Sequence, residues 1–545
     1  MIPSPAITLA RISALAAGGA ALGLAIWIFL GGQKVAPLPQ TRLAPNLAAS
    51  VAEVDAVLRA SWAEAKVAPT PAADALTLAR RLSFALTGAP PSLEEIRRLE
   101  ALPQNADPVL VWLDHLLADR RSADYLAERL ARTFVGVETG PFLIYRRRRL
   151  VHWLGDQLAA HRPYDAIVRD LIASEGLWTT KPETNFVSVT IVANGEEVPD
   201  EVKLAARTSR AFLGISLDCV QCHDDAFGDR WKQSDFHHLA AFYAQAEMNI
   251  SGLRDNKGRQ YHTRYLGEET ARLVSPQVPF AAEDLPARGT RRERLAAWVT
   301  APGNGAFARA TVNRAWALLC GRPLVEPIDN LALDGPFPPA LETLARQFEA
   351  SGYDYQQLLR TIALSSAFRR DSRSGDPAHP VTLRQEEVWA AFPVTPLRSE
   401  QVAGAVIQSS SLASLDGEAP FLQKLRRSGE IRDFVRRFGD AGEDELSADP
   451  GTVAQRLLVM NGKLVRERTE PNPLLNASTR LARHAPSDEA AIAAAFLAAL
   501  TRYPEGSELA HFSTSLAGTK AQARDRALSD LCWALANSTE FSWNR

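Results

Sequence analysis

Cys219, Cys222 and His223 stand in the order Cys-Val-Gln-Cys-His, where this 545-residue chain brings two thiols and an imidazole within five positions. That spacing is the attachment sequence of c-type haem: two thioethers form to the vinyl groups, and the adjacent histidine supplies the proximal iron ligand. With four cysteines and ten histidines in the whole chain, the arrangement is not expected by chance. A Cys-x-x-Cys pair also serves as a redox dithiol or as half of a zinc site. Zinc needs two further ligands, for which His237 and His238 are the near candidates, and a thioredoxin-type dithiol needs βαβ flanks that the sequence does not offer. Covalent haem c on Cys219 and Cys222, with His223 on the iron, is therefore the leading expectation. Met248, one of three methionines, is the candidate sixth ligand. Asp224 and Asp225 are candidate acceptors for the ring proton of His223.

The elements that must position this motif read as helices. Apolar residues at three- and four-residue spacing predict helices over 47–66, up to Leu86, over 107–135 and over 147–175. Thr87-Gly88-Ala89-Pro90-Pro91 ends the second of these, and Ser92 with Glu95 predicts a capping box for the next. A helix from Glu201 to Leu213 delivers the chain into the cysteine pair. The strand expected in this half is Asn185–Val198, which is β-branched and carries an Asn-Gly turn. Helical pattern dominates the second half. The predicted fold is mostly α, a multi-helix two-domain body with minor β, preceded by one N-terminal transmembrane helix. The expected divisions are 1–34 as signal anchor, 35–50 as linker, 51–248 as the domain with the motif, 249–290 as an irregular connector and 291–545 as a helical domain.

Ile12 to Gln33 carries no charge and is long enough at 1.5 Å per residue to cross a hydrocarbon core. Its length and the lack of a small-residue cleavage site predict an uncleaved anchor, placing the protein as single-pass in the inner membrane with its body in the periplasm. A net charge of −2 excludes the basic face of a nucleic-acid binder. Cys320 and Cys532 lie in apolar helical contexts and read as buried small hydrophobes. The run Arg146-Arg147-Arg148-Arg149 reads as a solvated face or an anion site. No phosphate loop, nucleophile elbow or HExxH motif is present, so no hydrolytic site is nominated.

Several strings together resemble a cytochrome-associated family abundant in planctomycetes, which joins two domains of unknown function numbered 1549 and 1553. They are LARRLSFALTGAPPSLEEI, HRPYDAIVRDLI, CVQCHDDAFGDRWKQSDFHHLAAFYA, and in the second half RERLAAWVTAPGNGAFARATVNRAWALLCGRPLVEPIDN, FEASGYDYQQLLRTIALSSAFRR, LVMNGKLV and LSDLCWALANSTEF. Cys219, Cys222, His223, Asp224, Phe227, Trp231 and Asp235 fall on the family pattern. Asp225 stands where the family has a histidine, His237 stands in its Tyr-Tyr position, and Pro338-Pro339 replaces a His-Pro. The resemblance implies an exported protein encoded beside or fused to cytochrome domains, with a cytochrome or envelope complex as partner. The function expected from motif and resemblance is electron transfer or a redox subunit of an envelope complex. The alternative is a non-redox binding or assembly subunit whose cysteine pair is a structural disulfide or metal site.

Overall fold

Local rules start and stop the first helices. Asp74 caps Ala75–Thr87 by accepting from the amides of Leu76 and Thr77, both at 2.9 Å. Gly88 ends that helix at φ 70°, where a Cβ would meet the Tyr125 ring at 2.5 Å, so glycine is required on both counts. Ser92 and Glu95 then exchange backbone-to-side-chain bonds at 2.8 and 3.1 Å and open Leu93–Glu100. In this computed structural model, residue 38 and residues 41–545 are described, apart from 138–144, 192–197, 226–229, 377, 415–420, 440–441, 443–451 and 473–475.

The body is 58% helical with minor β. Three two-stranded antiparallel sheets are present among the described residues: Ala246–Asn249 with Gly252–Asp255, Tyr261–Thr263 with Arg272–Val274, and Thr395–Pro396 with Trp543–Asn544. The second lies within the 249–290 segment that reads as irregular in sequence, and the first straddles its start. The last joins the chain's end to its middle.

Gln40–Arg545 forms one unit, because the first half reaches repeatedly into the second. The first described helix, Pro45–Ala65, packs on Pro339–Ala350 and Tyr355–Leu364, and the Trp62 indole donates to the Val388 carbonyl at 2.9 Å. Phe84 is wholly buried in a core otherwise built from the C-terminal helices, with Val402, Phe496, Leu528 and Phe541 around it. Arg80 donates to the carbonyls of Ala499 and Phe541, and Arg81 to those of Phe368, Arg370 and Arg545. The Arg81 guanidinium also lies 3.7 Å from the centre of the Phe392 ring. A second junction sets Glu400 against Arg129 and Arg398, both at 2.9 Å, with the Tyr125 hydroxyl on the same carboxylate at 3.0 Å. Burial pushes the Glu400 carboxyl up, but the two guanidinium groups outweigh it and hold it well below the ordinary value.

Two sequence expectations are corrected. Asn185–Ser188 is a turn of helix, not a strand; its Phe186 and Val187 are completely buried, so packing overrides β propensity. The rest of that expected strand, with its Asn-Gly turn, falls partly outside the described residues. The single-pass inner-membrane placement is also overturned: among the described residues no helix is long and apolar enough to cross a membrane. Pro45–Ala65 has the length, at 21 residues, but carries Glu53, Asp55, Arg59 and Glu64. The 1–34 segment expected to be the membrane helix lies outside the described residues.

Candidate functional site

The chain enters the cysteine motif through a deliberate change of helical pitch. Asp200 caps Glu201–Thr208, and a π turn over Ser209–Leu213 continues it. Gly214, at φ 65°, turns the chain where a Cβ would meet Ala310 at 3.0 Å. Ile215 and Leu217 are buried, and the chain then surfaces at Asp218. Cys219–Gln221 is a single 3-10 turn. Because side chains three apart eclipse in that geometry, Cys219 and Cys222 share one face. Val220 points inward at 3% exposure, while Cys219, Cys222, His223 and Asp224 are all exposed.

The helix Gln233–Ala240 holds this turn from beneath. The Gln233 amide N–H donates to Asp224 Oδ1 at 2.8 Å, its Nε2 donates to the Gln221 carbonyl at 3.1 Å, and its Oε1 accepts from the Leu266 amide at 3.0 Å. His237 adds a second clamp on the same carbonyl: its Nε2 donates to Gln221 at 3.1 Å, and Nδ1 accepts from the Tyr261 hydroxyl at 2.8 Å. Burial holds His237 below the usual imidazole value, the hydrogen bond to Gln221 opposing and the neighbouring His238 adding to the shift. Both ring nitrogens are engaged, so His237 is a structural clamp rather than a metal ligand. His238 likewise donates from Nδ1 to the Ser275 carbonyl at 2.7 Å.

His223 is arranged differently. Its Nδ1 lies 2.6 Å from the Asp224 carbonyl, which can only accept, so Nδ1 is the donor. The exposed imidazole stands next in sequence to two free, exposed thiols. The Asp224 side chain anchors the Gln233 amide rather than the His223 ring. Met248 is not on this surface: it is 7% exposed, on the first hairpin strand, in register with Leu253. Trp231 packs on Phe280 at 6.4 Å, and Phe227 lies outside the described residues.

No disulfide joins the cysteines, and among the described residues no group of three His, Cys, Asp or Glu side chains could hold a metal. Cys320 is fully buried, and burial pushes the Cys532 thiol up to about 12, so neither is a reactive thiol. Three of the four arginines in the run make contacts within the fold. Arg147 pairs with both oxygens of Glu128 at 2.9 Å, Arg146 lies 4.7 Å from the Trp178 ring centre, and Arg149 donates to the Thr179 carbonyl.

Residues 53–248 match the family model of PSCyt2, a protein of unknown function (DUF1549), and residues 291–516 match that of PSD1, a protein of unknown function (DUF1553). The chain carries both, in that order. The cysteine motif lies in the PSCyt2 segment. The buried Arg80–Arg81 pair, also in the PSCyt2 segment, donates to carbonyls within the PSD1 segment and beyond it. No curated protein and no solved structure matches the chain. Sequence reasoning missed the clamping roles of Gln233 and His237. The signal was present in the apolar face of SDFHHLAAFYAQ, which predicts one histidine turned inward.

Proposed function

We propose that the Cys219–His223 turn is a c-type haem attachment site and that the protein works in electron transfer or as a redox subunit. The observation that carries this reading is the exposure of Cys219 on the 3-10 turn and of Cys222 and His223 directly after it, with Val220 alone turned into the core. Cys219 and Cys222 would hold the haem through their sulfurs, and His223 Nε2 would face the iron. The group, when bound, supplies one-electron chemistry. The chain's own residues do the positioning: the Asp224 carbonyl fixes the His223 ring direction, and Gln233 and His237 keep the turn from shifting.

The test is expression with a cytochrome c maturation system, followed by a denaturing gel stained for haem and a pyridine haemochrome spectrum. The expected result is a haem-positive band that disappears in the Cys219→Ala, Cys222→Ala double variant. A correctly folded protein without covalent haem overturns the proposal and leaves the binding or assembly subunit as the better reading.

A further inference from the structure

The helix that delivers the chain to the cysteine motif ends a few residues before it. Its π turn over Ser209–Leu213 closes at Gly214, whose amide returns to the Arg210 carbonyl at 3.2 Å, and the Ile215 amide returns to Ser209 at 3.1 Å. The last carbonyls of a helix lack partners within it and carry the negative end of its dipole. Here the partner comes from the PSD1 segment. Arg314, on helix Gly305–Cys320, donates from Nη1 to the Ala211 carbonyl at 2.6 Å and from Nη2 to the Arg210 carbonyl. Arg314 makes no ion pair among the described residues. Burial holds its guanidinium below the ordinary value, with the fields of Tyr164 and Asp329 opposing.

Further contacts lead from these carbonyls to the thiols. The Arg210 guanidinium pairs with Asp218 at 3.4 Å, and Ser216 Oγ donates to the same carboxylate at 3.0 Å. The Asp218 carbonyl accepts from the Gln221 amide at 3.4 Å, closing the turn that carries Cys219. The loop after helix Gly305–Cys320 holds this segment at both ends: the Leu331 amide donates to the Gly214 carbonyl at 2.7 Å, and Asp334 pairs with Arg230 beyond the motif. Asn313, next to Arg314, anchors the start of that loop by exchanging bonds with Val325 at 2.8 and 3.0 Å. We propose that Arg314 is the positioning residue of the cysteine turn: by holding the Arg210 and Ala211 carbonyls it sets where Cys219, Cys222 and His223 surface. A guanidinium suits this task because one rigid fork reaches two carbonyls and its charge complements the end of the helix dipole. That the turn so placed carries haem rests on the haem reading, whereas the positioning applies to the haem-free chain as well.

Hydrogen exchange of the full haem-free chain, read by mass spectrometry at the peptide with the Gly214, Ile215 and Gln221 amides, tests this role. Arg314→Met should speed their exchange about tenfold or more. Arg81→Met, which loosens the junction between the halves, should leave them within about twofold of wild type. In haem-loaded protein, Arg314→Met should also shift the midpoint potential and the visible spectrum, and Arg81→Met should change neither. Three results overturn the proposal: unchanged exchange in a folded Arg314→Met variant, equal acceleration by Arg81→Met, or an unchanged potential and spectrum in haem-loaded Arg314→Met. Arg314→Gln keeps a donor for one of the two carbonyls; it should speed exchange about threefold or more and decides the matter if Arg314→Met fails to fold. A wild-type chain that takes up no haem overturns the haem reading alone, and hydrogen exchange then judges the positioning.

Discussion

The Arg80–Arg81 pair and the Cys219–His223 turn both concentrate polar chemistry in a few adjacent residues, and they put it to opposite uses. The arginines are buried and donate to five backbone carbonyls across the junction between the two halves. The thiols and imidazole are exposed on a turn whose side-chain anchor is Val220. Buried polar groups are tolerated when their bonds are made, and those bonds then couple distant parts of the chain. Exposed ones contribute little to stability and remain free to react. The junction therefore belongs to folding, whereas the turn adds little to it.

The largest effect that would break this contrast lies at Arg81. Arg81→Met strips donors from three carbonyls, and urea unfolding should show a loss of about 2–4 kcal/mol. A loss under about 0.5 kcal/mol, the range of ordinary surface substitutions, would mean that the junction is not what holds the halves together.

Glu400 comes next. Its folded-state carboxyl is held below the ordinary value of 4.5, so the unfolded chain takes up the proton first. The contribution is thus fully present above that value and is lost as pH falls through and below it. Thermal melts between pH 6 and pH 3, taken as about 1.5 units either side of the ordinary carboxylate value, should fall less steeply for Glu400→Gln than for wild type. At neutral pH the same variant leaves Arg129 and Arg398 without their shared carboxylate and should cost about 2–3 kcal/mol. Identical acid profiles for the two proteins would remove Glu400 from the account.

The smallest effect is expected at the motif itself. In protein expressed without a cytochrome c maturation system, changing Cys219 and Cys222 to serine should leave the unfolding free energy within about 0.5 kcal/mol of wild type, because neither thiol is buried or bonded to the rest of the chain. A cost above about 1.5 kcal/mol would show that the turn carries structure, and the contrast with the arginine pair would collapse.

What could be read from sequence was local. The Ser92–Glu95 capping box was legible because its partners are three residues apart, and the helix ending at Gly88 because glycine there answers a backbone need. The helix Pro45–Ala65 followed from its apolar spacing. The strand over Asn185–Val198 was misread because β-branched residues also suit a fully buried helical turn. The arginine run gave no hint of Glu128 or Trp178, its actual partners.

The chain's own residues, taken in order, determined the helical class, the caps, the cysteine–histidine spacing and the likeness to two domains of unknown function, since each depends on neighbours within a few positions. Tertiary structure alone decided that Arg80 and Arg81 meet carbonyls 287 to 464 residues away, that the motif faces outward, that His237 clamps it, and that Arg314 reaches the carbonyls of Arg210 and Ala211. The reason is physical: which face of a helix is buried, and which charge finds a partner, depends on packing between segments that sequence spacing does not relate.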